Sequence, residues 1–151
     1  MNSRALVFLC GLCCGTAGAS QAQQQWVGVS GDEQVFYSVE LSSVKPRDPY
    51  LRAWVHVEWS HVQSDGFIGY GMLNLINCAD EEWAFIQLVG YREPMFGRPV
   101  APETIEEEFS MPPPGSSGGR VIEFVCAYAK GEKWALEAQT SPMPVSPDSL
   151  P

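Results

Sequence analysis

Two histidines, one serine motif and two acidic runs are the residues of this sequence whose types could support chemistry. His56 and His61, with Glu58 between them, are ligand types that zinc accepts. Their spacing argues against a shared ion, because residues five apart on a strand point to opposite faces. Both read as ordinary surface histidines, with His56 on a polar strand face beside Glu58. Gly115-Ser116-Ser117-Gly118-Gly119 matches G-x-S-x-G, the nucleophile elbow of serine hydrolases. That elbow needs a strand before the serine, and Pro112-Pro113-Pro114 stands there instead. The motif also needs a later histidine, and none follows His61. The stretch therefore reads as a Gly/Ser linker leading into the next element. Asp80-Glu81-Glu82 and Glu106-Glu107-Glu108 are carboxylate runs. Acid–base catalysis needs two carboxylates in different environments, and a calcium loop needs spaced Asp/Asn ligands and a glycine. Neither run offers this. The sequence thus leads to an expectation of no catalytic residue, no cofactor-binding residue and no metal ligand. Trp54 is the residue most suited to partner contact, since it interrupts an otherwise polar strand face. Packing under a neighbouring loop is the competing reading.

The elements that would position these residues are mostly strands. Leu51, Ala53, Val55, Val57 and Trp59 alternate with Arg52, His56, Glu58 and Ser60, the period of a half-buried strand. Tyr70 to Cys78 and Trp83 to Tyr91 are two more, the second apolar on both faces except at Gln87 and so central. Trp26 to Val29 and Val35 to Val39 flank the turn-prone Gly31-Asp32. Lys45 to Pro49 reads as a loop, because two prolines cannot serve a central ladder. Ser64-Asp65-Gly66 and Ala79 to Glu82 are hairpin tips, which joins the strands as an antiparallel meander. The pattern stops from Pro99 to Pro114. It restarts at Arg120 to Lys130, where Arg120, Glu123, Ala127 and Lys130 share one helical side. Val121, Ile122, Val125, Tyr128 and Ala129 share the other, and Gly131 is placed as the stop. A strand carrying Ile122, Phe124, Cys126 and Tyr128 is the alternative.

The chain has 151 residues, which bounds it to one domain. Arg4, an apolar run from Ala5 to Cys14 and small residues up to Ser20-Gln21-Ala22 form a secretory signal pattern. Residues 1–22 are expected to be removed, residues 23–139 to form the domain, and residues 140–151 to be a Pro/Ser-rich disordered tail. The apolar run is half the length of a membrane span, so no transmembrane segment is expected in the mature chain. Cys10, Cys13 and Cys14 follow Leu9, Leu12 and Cys13 rather than small residues, which makes lipid attachment the weaker reading. Cleavage leaves Cys78 and Cys126, and an oxidising compartment favours one bridge between them over two buried thiols. It also leaves 8 basic and 18 acidic residues, since Arg4 departs from the 9 and 18 of the full chain, for a formal charge of −10. Such a surface repels phosphate backbones and anionic lipid, so nucleic acid is not an expected partner.

In order, the chain shows Trp26-Val27-Gly28-Val29, Val35-Phe36-Tyr37, Ala53-Trp54-Val55-His56-Val57, Asn77-Cys78 followed by acidic residues, a strand closing on Tyr91, and Pro112-Pro113-Pro114-Gly115-Ser116 leading to Cys126. This order resembles the surface-adhesin protein E family of Gram-negative exported proteins over residues 26 to 128. The resemblance implies an α+β fold: a curved antiparallel sheet of about five or six strands, with one C-terminal helix packed on a face and tied to it by Cys78–Cys126. It also implies a binding module for extracellular or envelope proteins, located in the periplasm or on the outer cell surface, with no catalysis and no cofactor. The alternative is a periplasmic envelope-maintenance protein without a host partner. Oligomeric state is left open, a dimer included. About 25 residues follow Cys126, more than the family usually carries, and the charge of −10 disfavours acidic glycans.

Overall fold

The structure is a computed structural model and describes residues 25–138. The leader 1–22 and the whole segment 140–151 read as a tail lie outside the described residues. The described chain runs β1 (Trp26–Gly31), β2 (Val35–Arg47), β3 (Tyr50–Trp59), β4 (Gly69–Asn77), β5 (Glu82–Glu93), β6 (Gly97–Pro99), β7 (Glu103–Thr104), α1 (Ser117–Lys130) and α2 (Lys133–Glu137). The sheet is antiparallel in the order β1-β2-β3-β4-β5-β6, with β7 also pairing β5. The meander, the helix on one face and the bridge all appear as expected. The short β6 and β7 raise the strand number to seven, and α2 adds a second helix beyond α1.

The alternation written into β3 decides which side is core. Leu51, Ala53, Val55, Val57 and Trp59 all pack into the cluster under the helix, with Val27, Val39, Leu41, Met72, Ile76 and Trp83 from neighbouring strands. The helix contributes Val121, Ile122, Phe124, Val125, Cys126 and Ala127. Ala127 is buried rather than on the solvent side, and Ala129 is exposed instead. The apolar face of α1 is wider than the sequence reading allowed, because the sheet bends around it. The first turn of α1 meets both β1 and β5. Ser30 of β1 donates its hydroxyl to Ser117 Oγ at 3.1 Å, and Gly118 lies against the Trp83 ring of β5. Irregularities in the β1–β2, β2–β3 and β4–β5 ladders supply local twist for that bend.

Pro46 corrects the loop expected at Lys45 to Pro49. It lies in β2 opposite Leu51, and Arg47 pairs Tyr50. A proline is tolerated here because β1 reaches only to Trp26 opposite Glu40, so this end of β2 has a neighbour on one side alone. The segment from Pro99 to Pro114 is also more ordered than its pattern suggested. β7 pairs Gln87 and Leu88, and Ser110 bridges Trp83, so the segment straps the edge of β5.

α1 is capped at both ends. Ser116 Oγ accepts the N–H of Gly119 at 3.2 Å. Gly131 takes a left-handed φ of 75° as the stop, with its N–H returning to the last-turn carbonyls. Cys126 on this helix is joined to Cys78 at the end of β4, with Cα atoms 5.8 Å apart.

Candidate functional site

The sheet face opposite the helix carries Trp54, His56 and Glu58, three of the residues singled out for chemistry and contact. Across it the ladders align Trp26, Glu40, Trp54 and Leu73 in one row, and Gly28, Ser38, His56 and Gly71 in the next. Glu58, Gly69 and Tyr91 form a third row. The two β4 glycines matter here. A Cβ on Gly69 would stand 2.8 Å from the Val57 carbonyl oxygen and 3.0 Å from His56 Nε2. A Cβ on Gly71 would stand 3.3 Å from the Tyr91 ring and 3.7 Å from Trp54. Their bare backbone is a floor on which His56, Tyr91 and Trp54 lie down.

His56 is the centre of this arrangement. The Phe96 ring covers it at a centroid distance of 4.1 Å, Tyr91 meets it edge-on at 5.4 Å, and Trp26 at 6.0 Å. Phe96 comes from the β5–β6 turn, where Met95 and Phe96 both hold positive φ, as does Arg98 just beyond it in β6. The turn is anchored by Met95 N–H donating to Glu58 Oε2 at 3.0 Å and by the Arg98–Glu93 ion pair at 3.4 Å. Backbone strain of this kind persists only where surrounding contacts fix it.

The expectation of a surface histidine is therefore corrected: His56 is only 3% exposed. Alternation places it rightly on the face away from the helix, yet a turn 40 residues later roofs that face with Phe96. Burial disfavours the imidazolium and pushes His56 down to about 4. Burial likewise raises the Glu58 carboxyl, partly opposed by the Met95 hydrogen bond. The pair stands 4.0 Å apart. His56 Nε2 and the hydroxyl of its ladder partner Ser38 are both buried without a hydrogen-bond partner among the described residues.

His61 lies apart, exposed beyond β3 and 3.3 Å from the Ser60 hydroxyl. Ser117, the elbow candidate, is on the helix side of the sheet and bonded to Ser30. Glu106 to Glu108 and Asp80 with Glu81 are exposed, and Glu82 is partly buried at the start of β5. No group of three His, Cys, Asp or Glu side chains suited to a metal occurs among the described residues. Trp54 is half-buried rather than open, held by its row neighbours, and its backbone N–H donates to Ser43 Oγ at 2.7 Å. The large exposed apolar residues are instead Val62, Met95, Met111, Trp134 and Leu136. Of these Met95 borders the aromatic face through the turn that carries Phe96. The aromatic roof was missed because Phe96 sits in a turn without hydrophobic periodicity, although Glu93-Pro94-Met95-Phe96-Gly97 carries turn chemistry.

These features define a disulfide-tied α+β module, with a helix on one face of an open sheet and an aromatic cluster on the other. The chain belongs to the surface-adhesin protein E family, whose profile matches residues 26–127. Two solved structures share the fold. Protein E from non-typeable Haemophilus influenzae is 12% identical with a TM-score of 0.55, over 80% of this chain and 91% of that one. A second crystal form of Haemophilus influenzae protein E is 12% identical with a TM-score of 0.53, over 69% of this chain and 88% of that one. No curated protein matches the chain in sequence. No helix among the described residues is long and apolar enough to cross a membrane.

Proposed function

We propose that this protein is an exported, non-catalytic binding module that contacts extracellular proteins through the sheet face opposite its helix. The observation that carries the reading is the position of Trp54: half-buried at the middle of the one broad sheet face that α1 leaves uncovered. Membership of a surface-adhesin family supports it. Export rests on the leader pattern of residues 1–22, with Gln23 as the first mature residue. A half-buried tryptophan is already held in one pose by its neighbours. It can shed its remaining water against a partner at small entropic cost, as interface hot spots do.

The test is binding of the mature chain to a panel of immobilised extracellular matrix proteins, with and without Trp54→Ala. The expected result is at least a tenfold loss, about 1.4 kcal/mol or more, with the melting temperature kept within a few degrees. Trp54→Phe keeps a ring and should retain most of the affinity. Binding should weaken only slightly between about 0.1 and 1 M salt, because screening acts on exposed charge and not on apolar burial. Collapse of binding with salt would assign it to charge and overturn the aromatic reading. Surface labelling of intact cells separates an outer-surface protein from a periplasmic pool.

A further inference from the structure

Two polar atoms are sealed beneath the Phe96 ring without a hydrogen-bond partner among the described residues, His56 Nε2 and Ser38 Oγ. Their residues face each other across the β2–β3 ladder. Each atom forfeits the hydrogen bonds that water would give it, so the covered arrangement carries a standing cost. Ring contacts offset that cost, with Phe96 at 4.1 Å from His56, 4.7 Å from Trp26 and 5.5 Å from Tyr91. The segment that delivers Phe96 is lightly tied. β6 ends the strand order, with β5 as its one strand neighbour. Glu93 pairs Gly97 at the base of the turn, and the Arg98–Glu93 ion pair beside it is exposed. Between these, Met95 and Phe96 hold φ of 55° and 64°, a backbone that persists only while its contacts do. One hydrogen bond among the described residues ties the arch to β3, from the Met95 N–H to Glu58 Oε2 at 3.0 Å. The same oxygen stands 4.0 Å from His56 Nε2.

We propose that Pro94, Met95 and Phe96 form a lid that lifts from His56 when the imidazole takes up a proton, hinged at the Glu93–Gly97 pair. A protonated imidazole carries an N–H on both nitrogens. Under the closed lid its Nε2–H has one carboxylate nearby, the Glu58 oxygen that already holds Met95. Drawn to the imidazolium, Glu58 releases the Met95 N–H, and the lid loses its tether. Lifting then admits water to His56 Nε2 and Ser38 Oγ together. The other ionisable groups on this face set the balance. Burial raises the Glu58 carboxyl, so its own protonation favours the closed lid and opposes the switch. Glu40 of β2, diagonal to His56, is engaged by the hydroxyl and N–H of Ser42. Burial raises the Tyr91 phenol of β5, which therefore stays neutral. Glu93 and Arg98 neutralise each other at the hinge. β1 and β4 bring Trp26, Gly28, Gly69 and Gly71 to the rows around His56, and no charge. The uncovered face adjoins Trp54 in the next row. Any effect on partner binding rests on the role proposed above, whereas the lid is read without a partner.

The test is amide hydrogen exchange by NMR on the full mature chain at pH 7 and pH 5, with rates corrected for their intrinsic pH dependence. A covered imidazole titrating at about 4 and an uncovered one at its ordinary 6.5 raise the open fraction on the order of twentyfold over that range. Glu58 trims the gain, so the Met95 amide should lose at least about fivefold in protection. The nuclear Overhauser contact between the Phe96 and His56 rings should weaken with it, while β3 and β4 amides keep their protection. His56→Gln is polar but does not titrate, and should hold Met95 protection constant between the two pH values. His56→Phe fills the site with an apolar ring and should do the same. Constant Met95 protection in the unaltered chain would overturn the proposal. So would loss of β3 and β4 protection alongside Met95, since the whole sheet would then be unfolding. An undiminished acid response in both variants would assign the trigger to another group and overturn it as well.

Discussion

Phe96 holds its ring 4.1 Å from the imidazole of His56, closing a buried site that one strand begins and a distant turn completes. The relationship makes the fold sensitive to acid. His56 titrates near 4 in the folded chain against its ordinary 6.5, so between those values it is charged in the unfolded chain and neutral in the folded one. The folded-state pKa is lowered. Its contribution is therefore complete above about pH 6.5 and is lost as the pH falls toward 4, on the order of 3 kcal/mol in full. Glu58 acts in the opposite sense, because its pKa is raised on folding and protonation relieves it. Urea unfolding at pH 7 and pH 4.5 should show the net loss, and His56→Phe should flatten it. Phe96→Ala should move the His56 titration, followed by NMR, back toward 6.5. An unmoved titration would mean that Phe96 does not keep water from the ring.

The bridge between Cys78 and Cys126 spans a sequence separation of 48. Chain entropy alone assigns a loop of that size about 4 kcal/mol. Cys126→Ala should accordingly lower the unfolding free energy by ~2–5 kcal/mol, read from denaturant titration. Thiol titration of the unfolded, unreduced mature protein should find none free.

Gly69 is the tightest point of the aromatic floor. Gly69→Ala places a methyl 2.8 Å from the Val57 carbonyl and 3.0 Å from His56. It should cost ~1–3 kcal/mol through overpacking, visible as a drop in melting temperature and a perturbed His56 ring signal. Gly66 is the control for space. At φ 85° it has nothing within 4 Å of its would-be Cβ, so Gly66→Asn should change stability by well under 1 kcal/mol.

Ser116 holds the start of α1 through the Gly119 N–H. Ser116→Ala should cost ~1 kcal/mol, and Ser116→Asp should restore most of it through the same acceptor geometry. Thermal unfolding of the three proteins decides this, and equal midpoints would show that the cap contributes nothing.

Sequence and structure agree where a signal is local. The alternation from Leu51 to Trp59 names the core face of β3, and Gly131 ends α1 where a left-handed residue is needed. They part where distant segments meet. Pro46 looks incompatible with a strand until β1 is seen to stop short of it. His56 looks like a surface residue because hydropathy along β3 carries no trace of Phe96, placed by a turn in which Met95 and Phe96 both hold positive φ. Trp54 stands out by type and position, but its half-burial depends on Gly71, Leu73 and Glu40 from neighbouring strands. α2, with its exposed Trp134, lies in the stretch after Cys126, where periodicity is too short to show a five-residue helix.

The Cys78–Cys126 bridge also sets how the molecule would answer a pull. Force applied at the ends of the described chain reaches β1 to β4 from one side and α2 with the last turn of α1 from the other. It cannot lengthen the polypeptide between the two cysteines. That span holds β5, β6, β7 and the first turns of α1, and would yield roughly 160 Å if drawn out at ~3.4 Å per residue. Tension therefore draws on β1 to β4 and then meets a covalent stop, which leaves a folded-length remnant from which the sheet can be rebuilt when the load is released.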